Sequence, residues 1–132
     1  LTNQMAIKHM LAKGNAGSIV NIASIAGRRP LPGASDYCVS KAAVIMLTQT
    51  VATEYSTSNI RVNAIGPGFI ETPMTANIRQ SPEWMDTVMQ MTPMQRMGQA
   101  NEIASTALFL ASEESSYFTG QTLFPNGGMF TG

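Results

Sequence analysis

Three side chains stand at intervals suited to proton transfer. Tyr37 and Lys41 are four residues apart, so on a helix they share one face, with Cβ atoms about 5–6 Å apart. A free phenol titrates near pH 10, too high for exchange near neutrality, and a neighbouring ammonium favours the phenolate. Ser24 can donate a hydrogen bond to the substrate oxygen that exchanges a proton with the phenol, while charge develops on that oxygen. The pattern predicts general acid–base chemistry at a carbonyl or alcohol oxygen.

The elements that must position these residues follow from the hydrophobic pattern. Residues 18–23 form a short β-branched apolar run typical of a buried parallel strand, and Ser24 ends it. A loop then leads to a long helix, capped by Ser35 or Asp36, with Tyr37 in its first turn. Ligands of open α/β sheets bind outside the carboxyl ends of the strands. We therefore expect the three polar groups to meet at that edge.

Helices and strands alternate along the rest of the chain. This order favours a parallel α/β sheet. Residues 73–97, rich in Met, Pro, Gln and Thr, predict a mobile amphipathic lid with two short helices. The remaining predicted elements are a helix over 2–13, strands over 59–65 and 121–124, and a helix from an Asn101 cap to about Ala111.

Composition narrows the function class. Charged residues make up only 12% and the formal net charge is +0, so we expect much surface to be buried in the core or against a partner. Basic residues do not cluster and no apolar run approaches ~20 residues, which argues against nucleic-acid and membrane partners. We expect no metal site. With Cys38 as the single cysteine, no internal disulfide forms, and a cytoplasmic location is the expectation.

Four segments, in order, resemble those of the short-chain dehydrogenase/reductase family. A lone Tyr-x-x-x-Lys would be weak evidence, but the ordered set is specific. The resemblance runs over essentially all 132 residues and is nearest to the 3-oxoacyl-carrier-protein-reductase-like branch. It implies a Rossmann-like doubly wound parallel sheet. The segments are the serine-bearing strand 18–24, Tyr37–Lys41, the Pro-Gly segment 63–72, and Asn126-Gly127-Gly128.

The resemblance also implies an activity and roles. The activity is hydride transfer between a nicotinamide cofactor, NAD or NADP, and a ketone or secondary alcohol. Tyr37 would be the general acid or base, Lys41 would favour the phenolate and hydrogen-bond the nicotinamide ribose, and Ser24 would orient the substrate oxygen. The Ile70 backbone would bind the carboxamide. The implied cofactor-binding residues are Tyr37, Lys41, Pro67, Gly68, Ile70 and Thr72.

The glycine fingerprint that cradles a pyrophosphate does not follow any predicted strand. The resemblance places it in an amino-terminal half, with the residue that separates NAD from NADP. A fourth catalytic residue, an Asn, should fall just ahead of Leu1. We therefore interpret 1–132 as a single partial domain, the carboxy-terminal catalytic half only, and expect this fragment alone to be inactive.

Two apolar helices predict that the chain associates with copies of itself. The helices over 2–13 and 36–56 are apolar on more than one face, and family members pair equivalent helices across dimer or tetramer interfaces, so a homo-oligomer is expected. The alternative is a non-catalytic α/β fragment that acts only as a packing or oligomerisation module. Cys38 is interpreted as a packed residue. Arg28 and Arg29 could touch a cofactor or form a solvated pair.

Overall fold

The architecture is that of a computed structural model, which describes residues 2–131; the two ends of the predicted domain, Leu1 and Gly132, lie outside this range. The elements that matter below alternate in the predicted order. They are α1 (Thr2–Lys13), β1 (Gly17–Ile22), α2 (Ser35–Tyr55), β2 (Ile60–Ile65), α3 (Ala76–Arg79), α4 (Pro82–Met91), α5 (Ala100–Ala111) and β3 (Thr122–Leu123).

The described strands form one parallel sheet in the order β1-β2-β3. β1 pairs with β2 from Gly17 opposite Ile60 to Ile22 opposite Ile65, and β2 pairs with β3 where Ala64 lies opposite Thr122. Each strand begins or ends within two residues of its predicted bounds. The predicted α/β class with a parallel sheet is confirmed.

Helices cover both faces of this sheet. On one face, Ile7 of α1 and Val51 of α2 pack against Ile60 and Val62 of β2 in a buried apolar cluster. Alternate strand residues point the other way, and there Arg61 donates to the carbonyl of Leu110 at 3.0 Å at the end of α5. A cation at a helix C-terminus also complements the helix dipole. The sheet is therefore doubly wound, as predicted.

The two predicted helix caps were wrong. α2 begins at Ser35 after Ala34, which makes no side-chain cap, and α5 begins at Ala100, so Asn101 lies inside its first turn.

α2 is buried on one side only within the described chain, where its opposite face exposes apolar side chains. Those exposed residues are Val39, Met46 and Leu47.

Neither a helix able to cross a membrane nor a group of potential metal ligands occurs in residues 2–131. No described helix combines the length and the apolar character needed to cross a membrane. Within the same residues, no three His, Cys, Asp or Glu side chains are grouped so that they could hold a metal ion.

Candidate active site

Ser24 is fixed at the carboxyl end of β1 by the turn that follows it. Its backbone is extended, with φ −168° and ψ 159°, and it caps a short 3-10 helix over Ile25–Gly27. The Ser24 hydroxyl oxygen accepts a 3.1 Å hydrogen bond from the Ala26 N–H, and the residue is 8% exposed. Because this oxygen accepts from the backbone, the hydroxyl proton can be donated to a ligand.

Tyr37 and Lys41 face each other on the first turns of α2, as predicted. The Lys41 Nζ lies 5.6 Å from the centroid of the Tyr37 ring and donates a 3.1 Å hydrogen bond to the Ile22 carbonyl. This bond ties the helix to the end of β1, where Ser24 follows. An ammonium has three donors, so the amine can bind further acceptors.

Gly27 allows α2 to approach the Ser24 turn closely, and nothing in the sequence analysis singled it out. A Cβ at this position would lie 2.8 Å from the backbone carbonyl carbon and oxygen of Lys41 and 2.7 Å from the Ile45 Cδ1. Backbone atoms have little freedom to move away, so any side chain here would separate the turn from the helix. Gly27 therefore sets how closely Lys41 can approach Ser24.

The backbone ladder continues past the ends of the strands and carries the Pro-Gly segment with it. The Ala23 N–H donates to the Ile65 carbonyl at 2.7 Å, and the Ile25 N–H donates to the Pro67 carbonyl at 3.1 Å. On the other side, the Gly68 N–H donates to the Pro125 carbonyl at 3.1 Å. Three adjacent segments beyond the sheet thus keep the register of the strands.

The Asn-Gly-Gly motif supports the Pro-Gly segment from behind. The Asn126 side chain accepts from the Gly128 N–H at 2.8 Å and donates to the Phe130 carbonyl at 2.9 Å. A Cβ on Gly68 would lie 2.8 Å from the Asn126 Cα. The predicted motif is therefore a structural turn against which Gly68 packs without a side chain.

All seven predicted site residues line one cleft. Its volume is about 630 Å³, within the range of small-molecule sites. Besides the three polar residues of the proton-transfer prediction, most of the lining is apolar, and Lys41 is its one charged side chain. The predicted residues on its walls are Ser24, Tyr37, Lys41, Pro67, Gly68, Ile70 and Thr72.

Comparisons with known proteins decide the family. The family model described as enoyl-(acyl carrier protein) reductase matches residues 1–130. A 3-oxoacyl-acyl-carrier-protein reductase of Thermotoga maritima is 46% identical over 126 residues, which are 96% of this chain and 50% of that protein. The chain belongs to the short-chain dehydrogenase/reductase family. It spans about half the length of the curated relatives it matches.

Solved structures of dehydrogenases have the same fold. A gluconate 5-dehydrogenase from Burkholderia cenocepacia in complex with NADP and tartrate has a TM-score of 0.91 at 35% identity, over 96% of this chain and 49% of that one. A 4-hydroxyisoleucine dehydrogenase complexed with NADH has a TM-score of 0.96 at 31% identity, over 99% and 54%. The resemblance to the short-chain dehydrogenase/reductase family and the Rossmann-like fold are confirmed.

The predicted lid has two short helices, α3 and α4, preceded by a 3-10 turn over Pro73–Thr75. Its far end is joined to the cleft wall, because Gly98 forms a parallel bridge with Ile70. The Met94 N–H also donates to the Gly127 carbonyl at 3.0 Å. The carboxyl end of this segment is therefore held beside the cleft, and its role as a lid stays a prediction.

The ion pair between Arg96 and Glu102 was not predicted from the sequence. The hydrogen bond from Arg96, followed by the backbone bond from Gln99, lowers the pKa of Glu102 to about 2. The same hydrogen bond raises the pKa of Arg96. Glu102 lies three residues after Gln99, a spacing typical of helix starts that could have drawn attention to it. Both side chains thus stay charged across the neutral range.

Proposed function

We propose that this chain forms the catalytic half of an NAD(P)-dependent oxidoreductase that interconverts a ketone and a secondary alcohol. The observation that carries the proposal is the single cleft onto which Ser24, Tyr37 and Lys41 open together with the Pro-Gly segment. The family membership and the NADP and NADH bound by solved relatives support it. The 1–132 unit as one partial domain is part of the same proposal.

The residues divide the work by their chemistry. Tyr37 donates its phenol proton to the carbonyl oxygen during reduction and takes it back during oxidation. Ser24 donates a hydrogen bond to the same oxygen as negative charge develops there. Lys41, held beside the Tyr37 ring and at the Ile22 carbonyl, places a positive charge next to the phenol and has donors left for a ribose hydroxyl.

The donors around the cleft fit the nicotinamide end of the cofactor. Lys41 offers a cation, Thr72 a hydroxyl and Ile70 its backbone polar groups, while Pro67 and Gly68 line the same cleft without a polar side chain. A reduced nicotinamide supplies the hydride when it is bound. We propose that these residues hold the nicotinamide and its ribose, with NAD or NADP as the cofactor.

The adenosine end of the cofactor calls for residues that this chain does not supply. No glycine fingerprint follows a strand in residues 2–131, and the matched relatives are about twice as long. We therefore expect the 132-residue chain by itself to show no turnover. Steady-state NAD(P)H oxidation by the isolated chain at the rate of ordinary reductases would overturn this part of the proposal.

The main test uses the gene product that carries this chain, at its natural length. NADH and NADPH oxidation is followed with a 3-oxoacyl thioester, a cyclic ketone and a sugar ketone. Tyr37→Phe is expected to lower kcat by about 10²–10⁴-fold, because the phenol proton is lost while the ring remains. Tyr117→Phe is the matched control, since Tyr117 is fully exposed and lies outside the cleft. Equal turnover by both variants would refute the assignment.

The exposed apolar side chains of α1 and α2 favour a further proposal, a homo-oligomer. Met5, Leu11, Val39, Met46 and Leu47 all expose apolar surface, which monomeric proteins seldom group. Light scattering on the gene product should report a dimer or tetramer. Oligomers that bind no NAD(P)H by fluorescence titration would instead favour the alternative, a packing module without catalysis. The expected cytoplasmic location stays a prediction.

A further inference from the structure

We propose that the ion pair between Arg96 and Glu102 positions the cleft wall over Phe69–Thr72, and through it the nicotinamide end of the cofactor. The inference rests on the proposed function, because it adds positioning residues to the same site. Neither side chain lines the catalytic cleft, so neither is a catalytic residue. Their effect must pass through Gly98, which lies between them in sequence and beside Ile70 in space.

The Arg96–Glu102 ion pair is bidentate, and we call it the clamp. The Arg96 Nη1 donates to the Glu102 Oε2 at 2.9 Å, and the Arg96 Nη2 donates to the Oε1 at 2.6 Å. Two parallel charge-assisted bonds fix both planes relative to each other. Lysine has a single amine and cannot reproduce this arrangement.

Each member of the pair also binds backbone on one side of Gly98. The Arg96 Nη1 donates to the Met97 carbonyl at 3.1 Å, and the Glu102 Oε2 accepts from the Gln99 N–H at 2.7 Å. The peptide groups before and after Gly98 are therefore held by the same ion pair. Gly98 is fixed without having a side chain of its own.

Gly98 in turn holds the cleft wall through two backbone bonds. Its N–H donates to the Phe69 carbonyl at 2.9 Å, and its carbonyl accepts from the Glu71 N–H at 2.9 Å. These bonds form an isolated parallel bridge outside the three strands of the sheet. Since Ile70 lies between the two bonded residues and lines the cleft, the ion pair acts on this wall through one intermediate residue.

The turn before Arg96 aims its side chain towards α5. Gln95 adopts φ +54°, in the left-handed region that few non-glycine residues enter. Its side chain donates to the Met89 carbonyl at 3.0 Å, at the end of α4, and so holds this conformation. The chain reverses here, which brings Arg96 next to the first turn of α5, where Glu102 lies.

The first measurement is hydrogen exchange of backbone amides in the gene product at its natural length, without ligand. Glu102→Gln removes the charge and keeps the shape. The amides of Glu71 and Gly98 are expected to exchange about fivefold faster. Loss of an exposed ion pair of this kind shifts a local opening equilibrium by up to about that factor. Glu114→Gln is the matched control, because Glu114 is exposed and makes no ion pair within residues 2–131; its exchange should not change.

The second measurement is steady-state kinetics of the same variants. Glu102→Gln is expected to raise the KM for the nicotinamide cofactor about fivefold while kcat stays within about twofold, because binding is lost equally in the ground and transition states. Arg96→Ala should behave in the same way, and Arg96→Lys should recover part of the loss by keeping the charge. A merely structural role would lower the melting temperature and the active fraction without moving the cofactor KM.

The outcomes separate this inference from the proposed function. Faster exchange at Glu71 and Gly98 in a protein without nicotinamide-dependent turnover would keep the clamp and remove the proposed function. Turnover by the wild type, with exchange and cofactor KM unchanged in Glu102→Gln, would overturn the inference and leave the function. Faster exchange with turnover but an unchanged cofactor KM would overturn the link from the clamp to the cofactor. Unchanged exchange without any turnover would overturn both.

Discussion

The two walls of the cleft are held by different forces. The wall that carries Ser24 and Lys41 is joined through close backbone contact, with Gly27 packed so closely on α2 that a Cβ would lie 2.8 Å from the Lys41 carbonyl. The wall that carries Ile70 is joined through one bridge to Gly98, supported by an ion pair whose members are 47% and 42% exposed.

Because the two walls are held differently, we expect the first to determine the positions of the proposed reacting groups and the second to determine how the ligand fits. Close-packed interiors transmit displacement directly, so the groups proposed to move a proton are held by contacts that tolerate no extra atom. Exposed ion pairs are weak and screened by salt, so the opposite wall can yield at a small cost. Substitutions on the first wall should therefore affect chemistry, whereas those on the second should affect binding.

The largest effect is expected from Lys41→Met. The substitution removes the ammonium beside the Tyr37 ring and its bond to the Ile22 carbonyl, and it keeps much of the side-chain volume. Loss of the positive charge beside the Tyr37 phenol should lower kcat/KM of the gene product by about 10²-fold or more. Lys13→Met, at the exposed carboxyl end of α1, is the control and should leave kinetics unchanged. Retention of full activity by Lys41→Met would contradict its assigned role.

Gly27→Ala tests the buried wall by packing alone. The added methyl meets the Lys41 backbone, and overpacking of this kind costs about 1–3 kcal/mol of unfolding free energy. Urea denaturation measures this loss, and kcat should fall in the fraction that remains folded.

Gly14→Ala separates packing from backbone conformation. Gly14 has φ +63° and open space around its Cβ position, so alanine there should cost about 1 kcal/mol through the left-handed backbone. Its kcat should not change. Equal falls in kcat for Gly27→Ala and Gly14→Ala would show that the close packing of Gly27 on α2 does not determine the geometry of the site.

Gly98→Ala makes the corresponding change on the other wall. Its Cβ would lie 2.6 Å from the Ile70 Cδ1, the far end of a flexible side chain that can turn away. Stability should therefore fall by only about 1 kcal/mol, at the low end for overpacking, while the cofactor KM rises with the displacement of Ile70. A larger loss of stability than in Gly27→Ala would reverse the proposed contrast between the walls.

The smallest expected effect is the pH dependence of the ion pair. The pKa of Glu102 is lowered from 4.5 to about 2 by its bonds to Arg96 and Gln99. A depressed carboxyl pKa means that the stabilisation is present above pH 4.5 and is lost as pH falls towards 2. The difference in unfolding free energy between wild type and Glu102→Gln should shrink across this window, and added NaCl should reduce it at neutral pH. Urea titrations that give a constant difference from pH 5 to pH 2 would contradict this.

What the sequence could predict depended on local rules. Strand ends and helix periodicity place Ser24, Tyr37 and Lys41 at one edge, and the structure brings them to a common cleft. Their catalytic roles stay predictions. The predicted caps at Ser35 or Asp36 and at Asn101 were wrong, because α2 starts after Ala34 without a side-chain cap and α5 starts after Gln99, whose capping box with Glu102 takes that place.

What could not be predicted depended on contacts between distant segments. The close approach of Gly27 to α2 follows from the folded sheet, and no local pattern encodes it. Arg96 and Glu102 are six residues apart, outside the helical spacings that indicate an ion pair. Their meeting requires the left-handed backbone at Gln95, which sequence propensity disfavours for glutamine.

The backbone ladder that extends past the strands ends at Gly68, before the lid begins at Pro73. Residues 76–92 thus lie outside the segments whose spacing fixes Ser24 against α2. We expect substitutions, insertions or deletions there to alter which compound is accepted while the residues proposed for proton transfer stay in place. With such a division, proteins of one fold would accept different compounds while they keep the same arrangement of residues for proton transfer.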